Sequence, residues 1–258
     1  MTLTQEQPLA LPAVADVLGP ATEHCETLEL GSGLTAFVLA HPGEVLNLSA
    51  QERVYRALIP VTTSSFGADM TPYWTQRSKE GYLERLAEFV VVSDPAGTMA
   101  GWTGFHILPY DEFTMVYLDS TGMVPTLQSG GVMRRLMRHR IVDSALASCH
   151  TDRPVYLTAR SESPIFYRLM RKLLDSAELY PHPSLAAPED VVEAARHLAS
   201  WLGQKDILDA PSLTVRNAYQ ALDELYGELP TTGDPDLDRL FRGRLGPLDA
   251  FLLVGRAR

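Results

Sequence analysis

Apolar and polar positions change rhythm several times along the 258 residues, and each change marks an element. A short helix is expected around Pro12 to Leu18, ending at Gly19-Pro20, and Leu28 to Ala40 reads as a strand or hairpin interrupted by Gly31-Ser32-Gly33. Ser49-x-x-Glu52 offers a capping box ahead of Val54, Leu58 and Ile59, and Thr71-Pro72 predicts a second helix bearing Trp74, Tyr82, Leu83 and Leu86. A meander of three strands follows: Phe89 to Ser93, Thr98 to Leu108 and Phe113 to Val124, joined at Asp94-Pro95-Ala96-Gly97 and Pro109-Tyr110-Asp111. Helical spacing returns in Val132, Met133, Leu136, Met137, Ile141, Val142 and Leu146, predicting a helix over about 130 to 148. Val155 to Ala159 is then a strand, and Ser163-Pro164 starts a helix with Ile165, Phe166, Leu169 and Leu173 on one face. Farther on, Pro188 to Leu202 reads as an amphipathic helix, Leu213 to Tyr219 as a strand and Asp234-Pro235 as a helix start. The fully apolar run Phe251 to Val254 asks for a buried slot in the sheet.

Composition narrows the class. With 45% hydrophobic residues the chain can bury a sizeable core, and its 32 acidic against 22 basic residues, a net charge of −10, argue against nucleic acid or an anionic membrane surface as partner. No apolar run approaches the roughly 18 residues needed to cross a bilayer, and the amino terminus has no export signal, so a cytoplasmic location is expected. The two cysteines, Cys25 and Cys149, lie in no metal-binding or disulfide spacing, and no metal is expected. The adjacent pairs His24-Cys25 and Cys149-His150 read as structural.

The chemistry is concentrated in Met123-Val124-Pro125-Thr126-Leu127-Gln128-Ser129-Gly130-Gly131-Val132-Met133-Arg134-Arg135, a strand end, a glycine turn and a helix start in succession. The first turn of a helix leaves N–H groups without intrahelical partners, and its dipole adds positive charge there, which suits a pyrophosphate. A Gly-Gly before a helix is also an ordinary loop signal. The spacing is more specific: it resembles the acyl-CoA-binding motif of the GNAT superfamily of N-acyltransferases, V-x-P-x-x-(R/Q)-x-x-G-x-(G/A). Met123, Pro125, Gln128 and Gly131 fill its first four positions, and Met133 stands where the family has Gly or Ala. The order of three antiparallel strands, a helix, a strand parallel to the third and another helix resembles that superfamily over about residues 89 to 174. The resemblance implies an α/β (α+β) fold, a GNAT-like mixed sheet with an antiparallel meander plus a parallel strand, flanked by helices. Residues 1 to 174 would form the acyl-CoA-binding core with an N-terminal arm. Residues 175 to 258 would form an extension packed on the same body and adding strands to the sheet.

The resemblance further implies pyrophosphate held by the backbone of Gln128, Ser129, Gly130, Gly131, Val132 and Met133 with Arg134 beside it, and pantetheine along Met123 and Val124. Arg134, Arg135, Arg138, His139 and Arg140 make this helix locally basic, although Arg138 and Arg140 read as a solvated face. Two residues are candidates for catalysis. Tyr167, in Ile165-Phe166-Tyr167-Arg168-Leu169, resembles the family tyrosine that protonates the departing thiolate; a ring packed in the core is the other reading. Asp119, near the end of the third strand, is the candidate base, for which an apolar setting would raise its pKa; Asp119-Ser120-Thr121-Gly122 is equally good turn chemistry. Glu112 and His106 are reserves.

The expected activity is direct acyl transfer, from acetyl-CoA or another acyl-CoA, to the amine of a small or amino-acid-like metabolite. The acceptor would enter between Pro60 to Trp74 and the carboxyl-terminal extension, with Phe66, Tyr73 and Trp74 as candidate lining. Two alternatives stay open: a donor presented by an acyl carrier protein, and a GNAT-fold binding or regulatory protein without catalysis.

Overall fold

The structure, a computed structural model, describes residues 10–149, 153–175, 178–220, 222–223, 225–226 and 229–257. His150 and the first nine residues of the expected arm lie outside the described residues. The chain opens with helix α1 (Val14–Leu18) and the hairpin β1 (Glu26–Gly31) and β2 (Leu34–Ala40), followed by α2 (Pro42–Val45), α3 (Leu48–Phe66), α4 (Thr71–Lys79) and α5 (Tyr82–Arg85). Asn47 rather than Ser49 begins α3, because the Ala50 N–H donates to Asn47 Oδ1 at 2.9 Å and so satisfies a first-turn donor. The meander is β3 (Glu88–Ser93), β4 (Met99–Pro109) and β5 (Thr114–Met123).

After β5 the chain makes a 3₁₀ turn over Pro125–Gly130, then α6 (Val132–Met137), which widens into a π-helical stretch over Arg138–Leu146. The single helix expected over about 130 to 148 is therefore an α-helical segment followed by a π-helical one. Next come β6 (Val155–Ser161), α7 (Pro164–Leu174), β7 (Leu179–Tyr180), α8 (Glu189–Trp201), β8 (Leu208–Asp209), β9 (Thr214–Val215), α9 (Pro235–Arg244) and β10 (Ala250–Ala257). The strand expected over Leu213 to Tyr219 shortens to two residues, since Leu213 and Asn217 both hold positive φ, 55° and 49°, and turn the chain out of line.

Among the described residues, ten strands share one sheet, in the order β1-β2-β3-β4-β5-β6-β10-β9-β8, with β7 paired to β10. Every pairing is antiparallel except β5 with β6. Three antiparallel strands, a helix, a parallel strand and a helix is the arrangement that the sequence resemblance implied. The apolar carboxyl-terminal run finds its slot as β10, where residues 250 to 254 are fully buried between β6 and β9.

Helices cover both faces. On one, α1, α3, α4, α5 and α8 pack a core around Leu58, Trp74, Tyr82, Trp102 and Leu198. On the other, α6, the π-helical stretch, α7 and α9 cover Val116, Leu157, Phe251 and Leu253. Among the described residues no helix is long and apolar enough to cross a membrane.

Close packing leaves no room for a side chain at Gly122. A Cβ built on Gly122 in β5 would sit 2.2 Å from the buried Trp102 ring, whereas one on Gly243 in α9 meets nothing within 4 Å. Urea unfolding should show Gly122→Ala losing about 1–3 kcal/mol to overpacking. Gly243→Ala should gain about 0.5–1 kcal/mol through helix propensity.

Candidate functional site

Strands β5 and β6 pair from Thr114/Val155 to Leu118/Ala159 and no farther, although β5 runs on to Met123 and β6 to Ser161. The cause lies on the other side of β5. Its register with β4 shifts between Thr103/Thr121 and Phe105/Leu118, leaving one extra residue on β5, and Ser120 there adopts φ 60°. A bulge of this kind bends and twists its strand. The sheet therefore opens into a notch, with the chain from Asp119 to Val124 on one side and from Arg160 to Ser163 on the other.

The bulge is pinned by Asp119, which is 2% exposed. Its carboxylate accepts from Arg77 Nη2 and, at 3.0 Å, from His106 Nε2. His106 Nδ1 lies 2.9 Å from the Arg85 carbonyl oxygen, so the ring is held between two oxygen partners. The Tyr82 hydroxyl donates to the Asp119 carbonyl at 2.9 Å, and the Arg77 guanidinium lies 4.6 Å from the Tyr82 ring centroid. Burial alone would raise the Asp119 pKa, but the Arg77 charge and the His106 hydrogen bond outweigh it and hold the carboxyl well below the usual carboxylate range. This corrects the expectation of a raised pKa. A carboxylate bound by a guanidinium and an imidazole is a poor base and a strong structural anchor.

Tyr167 is also displaced from its expected role. It is fully buried on the α7 side of the sheet among Phe241, Phe251 and Leu179, and its hydroxyl donates to the Leu179 carbonyl at 3.0 Å. Burial pushes it up to about 12. Asp119, with Arg77 and His106, lies against the opposite face, so the two expected catalytic residues do not meet. Tyr167 packs a core and satisfies a strand carbonyl.

The glycine turn lies at the start of α6. Gly131, at φ 66°, starts α6 with no side-chain cap, and the first intrahelical bond there is from Arg135 N–H to Gly131 O at 3.1 Å. The amides of Val132, Met133 and Arg134 thus lack helical acceptors. A Cβ on Gly131 would lie 3.7 Å from Arg135 Nη1 and 3.9 Å from Arg134 Nη2, so both guanidinium groups curl over the turn. Arg135 spends its donors on the carbonyls of Gly130 and Leu30, and neither arginine has an acidic partner among the described residues. Arg138 and Arg140 are different: Arg138 pairs with Asp175, and Arg140, half-buried rather than on a solvated face, ties Glu88 of β3 to Glu26 of β1.

The remaining expected ligands sort by their partners. Gln128 Nε2 donates to the Met123 carbonyl at 2.8 Å and reaches the Ser65 carbonyl at 3.4 Å, locking the turn onto β5. The Val124 N–H already donates to Ala100 O at 2.8 Å, so the backbone of Met123 and Val124 is less available to pantetheine than expected. Ser129 and Gly130 lie in the 3₁₀ turn. Met133 packs sideways into the cores beneath α6 and does not wall off the turn.

Residues that carried no motif complete the notch. Arg160 and Ser161 end β6, and Glu162 is the first residue past it. Arg160 Nη1 donates to Gln204 Oε1 at 2.8 Å, its guanidinium lies 4.8 Å from the Tyr219 ring centroid, and its buried Nε has no partner. Glu162, 6% exposed, has no hydrogen-bond partner or cation among the described residues; burial, reinforced by the charge of Asp249, pushes it up to about 8. Around them stand Tyr73, Tyr117, Tyr219 and Tyr226. Phe66 packs on both Trp102 and Tyr226, at 6.0 and 5.0 Å between centroids, joining the α3–α4 segment to the carboxyl-terminal extension; Trp102 Nε1 donates to Ser120 Oγ at 3.0 Å. Trp74 instead is core, donating to Thr62 Oγ1 at 2.7 Å. In sequence, Glu162 between two serines gives only a turn signal, because its environment is built by residues 50 to 90 positions away.

No protein-family model matches the chain, and no curated protein matches it in sequence. Solved structures do resemble it. A ribosomal-protein alanine N-acetyltransferase from Escherichia coli is 15% identical over 86% of this chain and 93% of its own, at a TM-score of 0.42. The IAA acetyltransferase from Bacillus cereus is 11% identical over 86% and 99%, at 0.41. A GNAT family N-acetyltransferase from Escherichia coli, in complex with CoA, is 13% identical over 52% and 67%, at 0.34.

The two buried acids should titrate with opposite signs. Asp119, depressed on folding, stabilises the protein above the unfolded pKa near 3.8, and that stabilisation is lost as pH falls. Glu162, raised on folding, costs stability as pH climbs from 4.5 toward about 8. Denaturant melts across pH 3 to 9 should therefore show Asp119→Ala costing about 3–5 kcal/mol at neutral pH. The same melts should show Glu162→Gln removing the decline above pH 5; an unchanged profile in both variants would contradict these environments.

Proposed function

We propose that the protein is an acyltransferase that moves an acyl group from acyl-CoA directly to the amine of a small metabolite. The observation that carries this reading is the parting of β5 from β6 at Leu118/Ala159, directly upstream of an uncapped helix start overhung by two arginines without acidic partners. A thin, extended pantetheine thioester suits the notch, and a pyrophosphate suits the turn, where the free amides of Val132, Met133 and Arg134 and the guanidinium groups of Arg134 and Arg135 would hold it.

Acyl transfer needs a neutral amine and somewhere for its proton to go. Glu162 is the better base than Asp119, because its buried carboxyl titrates at about 8 and no cation neutralises it. The amine nitrogen bonds to the acyl carbon, the carbon–sulfur bond breaks, Glu162 takes the proton that nitrogen loses, and the thiolate of coenzyme A leaves to be protonated by water. Tyr167 is given no part in this step, since its hydroxyl is committed to Leu179.

Titration calorimetry with acetyl-CoA should show binding that the double variant Arg134→Glu, Arg135→Glu weakens at least tenfold; no binding by the unaltered protein would end this reading. In a thiol-release assay, kcat/KM should rise with pH to a plateau above about 8. Glu162→Gln should lower kcat about 10²–10⁴-fold with little change in acetyl-CoA affinity.

A further inference from the structure

Arg160 and Glu162 present an unusual pair of vacancies. The chain carries ten more acids than bases, 32 against 22, yet the Arg160 guanidinium has no carboxylate within ion-pair distance among the described residues. The nearby acid, Asp119, is already taken by Arg77 and His106. What surrounds Arg160 is tyrosine: Tyr219 under its guanidinium, with Tyr73 and Tyr117 close enough to feel its charge. Its position is fixed rather than adaptable, because Gln204, which accepts from Nη1, is itself held through Nε2 on the Ala218 carbonyl at 2.9 Å. A buried guanidinium left with an unpaired N–H is costly unless something supplies an acceptor. Glu162 poses the converse problem, a buried carboxyl with only Asp249, a like charge, acting on it.

Arg160 lies in β6 and Glu162 just past its last residue, Ser161, so two steps of chain keep their backbones within about 7 Å of each other. Tyr219 interacts with both, which places them around one space. They are not each other's partner, since no ion pair joins them. A molecule that carries a carboxylate next to an amine would satisfy both at once, its carboxylate forked on the planar guanidinium and its amine against Glu162.

We infer that the acceptor is an amino acid or a close analogue, with its carboxylate bound by Arg160 and its amine delivered to Glu162. This deepens the proposed acyl transfer and rests on it. Arg160 is then a specificity-determining residue: it selects the acceptor through the carboxylate and takes no part in the proton transfer. A plain amine or polyamine would leave the guanidinium unmatched and would bring a second positive charge toward it.

The test uses the full-length protein, acetyl-CoA, the twenty common amino acids, and, for each acceptor that turns over, its carboxamide and its decarboxylated amine. The expected result is a KM at least tenfold lower for the acid than for either neutralised analogue. Arg160→Gln should raise KM for the acid about 10–100-fold and leave kcat and the KM of the analogues within threefold, while Arg160→Lys restores part of the loss. Saturation-transfer NMR on the same amino acid without acetyl-CoA should show binding that Arg160→Gln abolishes, a readout independent of turnover. Melting temperatures of the variants check that both remain folded. Equal use of acid and amide, or equal losses on both in Arg160→Gln, overturns the carboxylate assignment while leaving acyl transfer standing. Failure of acetyl-CoA to bind at all counts against the proposed function, and with it this inference.

Discussion

The carboxylate of Asp119, shared between Arg77 and His106, is the interaction on which the rest of the arrangement depends. Arg77 comes from α4, His106 from β4 and Asp119 from the bulge of β5, so one buried anion fixes a helix and two strands relative to one another. Such a site is stable only when every charge has a partner, and removal of one partner leaves the others uncompensated in a low-dielectric setting. The cluster is closed from the side of the carboxyl-terminal extension: the Trp201 ring at the end of α8 packs 4.8 Å from His106 and 5.5 Å from Tyr117, centroid to centroid, and the Arg85 guanidinium lies 5.4 Å from the centroid of the same Trp201 ring. Asp119 therefore acts on function through geometry. It holds the bulge that parts β5 from β6, and the notch follows from that parting.

The Arg160 to Ser163 edge of the notch differs from this cluster in having no ion pair among the described residues, although Arg77, like Arg160, keeps a buried Nε without a partner. Asp119 has the Arg77 guanidinium as its counter-charge, whereas a short distance away Arg160 and Glu162 have no counter-charge among the described residues. The cost of such groups is an argument that they serve a ligand, since buried uncompensated charge is otherwise removed by substitution or by pairing. The turn at Gly131 follows the same logic on the surface, where Arg134 and Arg135 lack acids although Arg138 and Arg140 on the same helical run have them.

Local features of the sequence were read well and distributed ones were not. The meander, the parallel strand and the helices begun at Thr71, Ser163, Glu189 and Pro235 all follow from periodicity and from proline and capping signals that act within a few residues. The glycine turn was likewise legible, because its amides and its arginines are neighbours in the chain. Asp119 was found but its chemistry was inverted: the apolar strand beside it suggested a raised pKa, and the cation that lowers it lies 42 positions earlier, on α4. Tyr167 matched a local pattern while the carbonyl that captures its hydroxyl, on β7, lay outside that pattern. Arg160 and Glu162 carried no motif at all, and only the closure of α4 and the segment around Tyr219 and Tyr226 over β6 gives them their setting.

A crystal structure of the protein with coenzyme A tests the central claim most directly, because it locates the whole ligand rather than its consequences. The account predicts density for the pantetheine arm between the Ser120 to Met123 segment and the Arg160 to Ser163 segment, with the pyrophosphate on the amides of Val132 to Arg134. Coenzyme A bound elsewhere, with β5 and β6 unaltered and the notch empty, would contradict it.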